Sequence, residues 1–188
     1  MILMYHYFQD NEKSFHTSVE LFRSQLRFLN KHYNVSSLKN LDILNSRDET
    51  KTKQVAITLD DATVDQYECA LPVLEDLGVS ATFSVPVGLL GRTIPTPDGP
   101  LQVMSADKVK EVSERGHEIA AHSVNHRILT NVSRDEAESE IRDSKRRLED
   151  LIGEEVRSFT YPKNRYNDRI RRLVKEMNYD RALAGGNR

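Results

Sequence analysis

The chain has one cysteine, no tryptophan and no long apolar run, and each shortage excludes something. A lone Cys69 cannot close an internal disulfide, so the fold does not rely on an oxidising compartment. No stretch approaches the roughly 20 apolar residues of a membrane-spanning helix, and Met1 leads into ILMYH with none of the features of a signal peptide. The expectation is a protein that is cytoplasmic as written, or secreted if a leader was removed. Charge of one sign is missing too. The 27 Lys and Arg face 29 Asp and Glu, a formal charge of −2, so neither nucleic acid nor an anionic membrane is an expected partner. Aromatic residues make up only 7% of the chain, so no extended aromatic platform is evident. Internal repeats and low-complexity tracts are absent as well.

What is present is an alternation of short β-rich runs with longer amphipathic segments. In 188 residues this reads as one α/β domain with parallel strands, spanning 1–188. The strand candidates are Ile2–Tyr5, Val35–Ser37, Gln54–Leu59, Ala81–Val85, His117–Ala121, Arg157–Thr160 and Arg181–Ala184. Helix candidates carry apolar residues three and four apart, as with Val19, Phe22, Leu26 and Leu29, or Ile141, Leu148 and Leu151. Thr17 or Ser18 is placed to cap the first of these, and Ser133, followed by Asp135 and Glu136, the later one. Gly88, Gly91, Pro95, Pro97, Gly99 and Pro100 predict an irregular insertion over one end of the sheet, and residues 45–53 a charged loop.

The unusual polar residues fall directly after strand candidates, where parallel α/β folds gather ligands and catalytic groups. His6 follows ILMY, Asp60 and Asp61 follow VAITL, His122 follows HEIAA, and Tyr161-Pro162 follows RSFT. His16, His32 and His117 lie elsewhere and read as structural or solvated. Adjacent carboxylates at a strand end point to different sides, which suits a division of labour in which one ligates and the other handles protons. The competing reading makes Asp61 a helix cap, since DDAT resembles a helix start. In HSVNH, His122 and His126 stand four apart, so a helical turn would put both imidazoles on one face. Two histidines and one aspartate leave coordination positions open and form a catalytic-type set for zinc or another divalent transition metal.

These residues carry a family resemblance. ILMYH, FRSQLRFLNKHYNV, VAITLDD, ALPVLEDLGVSATFSV, GHEIAAHSVNHRILTNVS and SFTYPKNRYND occur in the order of the polysaccharide deacetylase family, the NodB-homology domain of the carbohydrate esterases. TLDD and HSVNH resemble that family's first two motifs, and TYPKN its third. The resemblance implies an irregular (β/α) barrel with fewer than eight repeats. It implies that Asp61, His122 and His126 ligate a divalent metal, with zinc expected and cobalt, nickel or iron not distinguished by the ligands. It implies Asp60 as general base, the Lys163 amide as oxyanion donor, and a pocket lined by Tyr161 and Pro162. The reaction implied is hydrolysis of an N-acetyl group on an amino sugar.

Three departures from the family pattern stand out. Ala62 replaces a usual glycine, and Thr160 replaces an arginine that orients the base, which leaves Arg165 as a candidate for that task. No histidine follows His126, although the family draws its general acid from a late Leu-x-His motif. Three explanations compete: a C-terminally short domain, His6 as the substitute acid, or a metal- and glycan-binding domain with little turnover. A carbohydrate is the expected substrate and a small amide the alternative. Tyr5, Tyr7, Tyr161 and Tyr166 are available for one or two sugar rings. Oligomeric state has no signature in the sequence.

Overall fold

β-branched and aromatic residues bounded by turn residues form the strands, at the places their composition indicates. The structure is a computed structural model describing residues 1–8, 16–41 and 53–185. In chain order its strands are β1 (Ile2–Tyr5), β2 (Asn34–Ser36), β3 (Gln54–Asp60), β4 (Thr82–Val85), β5 (Thr93–Thr96), β6 (Gly99–Gln102), β7 (Glu118–Ala121), β8 (Ser158–Thr160) and β9 (Arg181–Leu183). Seven of them form one parallel sheet in the order β1-β3-β4-β7-β8-β9, with β2 also paired to β3. β1, β2 and β9 each have a single neighbour, and the sheet curls into a half-barrel, in agreement with the expected incomplete (β/α) barrel.

The helices are α1 (Val19–His32), α2 (Leu71–Asp76), α3 (Ala106–Glu114), α4 (Arg134–Ile152) and α5 (Asp168–Glu176). Ser18 caps α1 by accepting from the Leu21 amide, and Ser133 caps α4 by accepting from that of Glu136. α1 buries Phe22, Leu26 and Leu29. α4 buries Ala137, Ile141 and Leu148 together with two polar residues, Glu140 and Ser144. β4 and β7 are buried throughout, as parallel strands covered on both faces must be. Among the described residues no helix is long and apolar enough to cross a membrane.

One expectation is corrected here. The Gly- and Pro-rich insertion contains a regular element, the antiparallel hairpin β5–β6, with Pro95 opposite Pro100. A two-stranded ribbon has only edges, so each proline can place its missing donor where no ladder bond is needed. Most of the loop expected at 45–53 lies outside the described residues, which resume at Lys53.

Candidate metal centre

The carboxyl ends of β1, β3, β7 and β8 meet at one place, and the segments that follow β3, β7 and β8 turn through left-handed backbone. After β3 the chain turns at Asp61 and Ala62 with φ of 77° and 49°. These left-handed values explain why glycine is usual at the second position, and they remove Asp61 from any capping role. HSVNH is likewise a turn, not a helix. Ser123 and His126 have φ of 58° and 54°, and it is this reversal that brings the two imidazoles together, with ring centroids 4.7 Å apart. Two groups outside the segment brace it. Glu140, buried on α4, accepts from the Asn125 backbone amide (2.8 Å) and from its side-chain amide (2.6 Å). The Gly88 amide donates to the Val124 carbonyl at 2.8 Å, an approach a Cβ would block, since it would lie 2.8 Å from that same oxygen.

The ligand-type atoms of Asp61, His122 and His126 all lie within 4.8 Å of one another. Asp61 Oδ1 is 3.5 Å from His122 Nε2 and 3.1 Å from His126 Nε2. Bonds of about 2.0–2.2 Å in a tetrahedral zinc site put neighbouring ligand atoms about 3.3–3.6 Å apart, so the spacing fits such an ion. The outer groups are set for it as well. His122 Nδ1 donates to the Thr160 carbonyl at 2.8 Å, which leaves Nε2 as the ring nitrogen that faces the cluster. Tyr7 donates its hydroxyl to Asp61 Oδ2 at 2.7 Å and leaves Oδ1 to the histidines.

Electrostatics favour a cation at this point. Burial alone would raise the Asp61 carboxyl, but hydrogen bonding and charge from His122, with help from His126 and Tyr7, hold it far below the ordinary range. Burial raises Asp60, opposed by the charges of His122 and His6. Burial would also lower His122, yet Asp61 and Asp60 pull it up, while burial and the His122 charge push His126 down to about 3. Both carboxylates thus favour positive charge at His122, a role a divalent ion would fill more fully. Asp60 Oδ1 is buried and makes no hydrogen bond, which leaves an acceptor beside the cluster.

The other expected residues are distributed unevenly. The charge of His6 is felt at both Asp60 and His126, and that of Lys163 at His126, so both flank the cluster. Lys163 and Asn164 have φ of 54° and 56°, in a single 3-10 turn, Pro162–Asn164. The amides of Tyr161, Asn164 and Arg165 are tied to Leu183, Tyr161 and Pro162 carbonyls. The first amides of such a turn have no partner inside it, and proline has none to offer, which leaves the Lys163 N–H as its donor. Tyr161 and Pro162 are buried behind this turn, and the exposed Tyr166 ring stacks on Tyr161 at 5.0 Å. Arg165 is exposed, and the group that meets the Asp60 carboxylate is instead the Ser84 hydroxyl, itself 2.9 Å from Thr160 Oγ1. Of the remaining histidines, the His16 side chain is buried 3.2 Å from Asp98, His117 is buried against Phe83, and His32 is exposed.

Ser84, Glu140 and Gln66, whose side chain reaches the ends of β1 and β3, have no site signature in the sequence, and Tyr7, expected at a sugar ring, is instead buried against Asp61. Glu140 alone left a trace, as a carboxylate inside the apolar stripe of an amphipathic helix.

The family model described as polysaccharide deacetylase matches residues 47–182. YxkH of Bacillus subtilis, a provisionally named polysaccharide deacetylase, is 26% identical over 180 residues, 95% of this chain and 61% of that protein. A peptidoglycan-N-acetylglucosamine deacetylase of Bacillus cereus is 30% identical over 132 residues, 70% of this chain and 56% of that one. The chain thus spans about three-fifths of the length of the curated relatives it matches. Among solved structures, Streptococcus pyogenes deacetylase PplD in complex with acetate superposes with a TM-score of 0.80 at 26% identity, over 95% of this chain and 80% of that one. A de-N-acetylase of Aggregatibacter actinomycetemcomitans shares the fold, with a TM-score of 0.82 at 21% identity over 100% of this chain and 88% of that one.

Proposed function

The chain belongs to the polysaccharide deacetylase family, and from that premise we propose that it is a metal-dependent hydrolase removing N-acetyl groups from an amino-sugar polymer or oligomer. The observation that carries the proposal is the Asp61–His122–His126 donor set with the unpartnered Asp60 oxygen beside it. A divalent ion, zinc by the donor set, would polarise the acetamide carbonyl and favour ionisation of water.

The chain's own residues supply the remaining steps. Asp60 takes a proton from the attacking water as its oxygen bonds to the acetamide carbon. The Lys163 amide, presented by its left-handed turn, donates to the carbonyl oxygen as negative charge gathers there. His6 gives its proton to the sugar nitrogen as the C–N bond breaks, so the products are acetate and a free amine. Pro162 and Tyr161 hold the Lys163 turn, and Arg165 and Tyr166 stand exposed beside it to meet the sugar.

The test is acetate release from N-acetylglucosamine oligomers by protein stripped with a chelator and then reloaded with zinc. Release that disappears on stripping and returns on reloading is expected. Release that persists after stripping would contradict metal dependence, and zinc-loaded protein that releases acetate from no amino sugar would contradict the substrate class.

A further inference from the structure

β1 and β3 pair in register as far as Tyr5 and Leu59. The next residues on the two strands are His6 and Asp60, the proposed acid and base. Beyond that last pair the two strand ends are joined by a side chain from another segment. Gln66 Nε2 donates to the His6 carbonyl at 2.6 Å and also to the Asp60 carbonyl. A primary amide has two N–H donors, and Gln66 uses both here.

Three further observations mark this as a built feature. Gln66 is fully buried, so water does not replace it as a donor. Its Oε1 is buried without a hydrogen-bond partner, so the amide is oriented for its donors while its acceptor goes unused. Turning the amide over would set oxygen against two carbonyl oxygens, which excludes the other orientation. Gln66 also opens a π-helical turn, Gln66–Ala70, ahead of α2, with its own amide donating to Thr63. Such turns recur at functional sites because they re-aim a side chain that a regular helix would direct elsewhere.

We propose that Gln66 is a positioning residue that sets the separation of Asp60 and His6 by holding both backbone carbonyls with one amide. The proposal rests on the acid–base roles given above. Each carbonyl is one bond from the Cα that carries the reacting side chain, so holding the pair fixes where the two side chains start. The geometry of proton transfer at both ends of the scissile bond then depends on a residue that touches neither the substrate nor the metal ligands.

The test compares Gln66→Met, of similar length and without donors, with His6→Ala and the double variant in the zinc-loaded protein. Gln66→Met is expected to lower kcat by ~10–100-fold with KM within about threefold, since small misplacements of reacting groups carry costs of that order. In the His6→Ala background, where only Asp60 is left to be placed, the same change is expected to have a smaller effect. A Gln66→Met variant that is active like the wild type, or a loss of equal size in both backgrounds, would overturn the positioning role while leaving that of His6 intact. Unchanged activity in His6→Ala alone would remove the acid and the proposal with it. A crystal structure of metal-free Gln66→Met adds a readout independent of turnover. The His6 and Asp60 carbonyls are expected to move apart, and carbonyls that stay in place would overturn the clamp.

Discussion

Two buried carboxylates sit at opposite ends of the same sheet and are treated in opposite ways. At the amino ends of the strands, Glu118 accepts from the Lys39 amide (2.6 Å), the Thr82 hydroxyl (2.9 Å) and the Ser158 hydroxyl (2.6 Å). At the carboxyl ends, Asp60 meets Ser84 and leaves Oδ1 without a partner. The supporting hydroxyls come from the same two strands, Thr82 and Ser84 from β4, Ser158 and Thr160 from β8, each pair two residues apart and so on one face of the sheet. What separates structure from chemistry here is how fully the acceptors are used. A carboxylate that is satisfied fastens strands together, and one left short of donors is available to take a proton.

The largest effects should come from exchanging the two. Asp60→Asn is expected to lower kcat by ~10²–10⁴-fold, the range for a lost general base, with no loss of melting temperature. Glu118→Gln should do the reverse. Its activity per folded molecule should stay unchanged while stability falls by about 1–3 kcal/mol, or roughly 2–12 °C in melting temperature. Parallel kinetics and thermal melts would check both, and loss of activity in Glu118→Gln at full folding would break the distinction.

Tyr7→Phe addresses the metal side of the upper site. It deletes only the hydroxyl that holds Asp61 Oδ2, and a ~10–100-fold loss of zinc affinity is expected in competition with a chromogenic chelator. An unchanged affinity would mean that Asp61 is oriented without it.

How much of this was legible in sequence follows the range of each interaction. The seven strands of the main sheet were readable because their composition is local, and the nearness of His122 to His126 because they are four residues apart. The means of that nearness was not. Spacing of four fits a helix, but the left-handed backbone at Ser123 and His126, braced by Gly88 and Glu140, makes a turn that depends on partners far along the chain. Ser84 and Gln66, and the Asp61 contact of Tyr7, escape the sequence for the same reason, since each matters through a contact with another strand end. The β5–β6 hairpin was missed because Pro95 and Pro100 read as breakers singly, and only their pairing across a ribbon makes them acceptable.

The smallest effect concerns the lower end again. His117 is buried, accepts from the Ala81 amide and packs edge-on against Phe83, and burial lowers its pKa. The unfolded chain therefore takes up this proton first as pH falls. The stability His117 provides is present above about pH 6.5 and is lost as pH drops through its folded value, by at most ~1.4 kcal/mol per pH unit. His117→Phe should flatten the stability profile in that window without changing acetate release. Denaturant melts between pH 7 and pH 5 would show it, and an equal slope in both proteins would assign the acid loss elsewhere.

Zinc stoichiometry decides whether Asp61, His122 and His126 form a metal centre. Purified protein equilibrated with zinc and then desalted should carry close to one ion per chain by mass spectrometry, and His126→Ala, folded to the same extent, close to none. Equal counts in the two proteins, or no bound zinc in either, would contradict it.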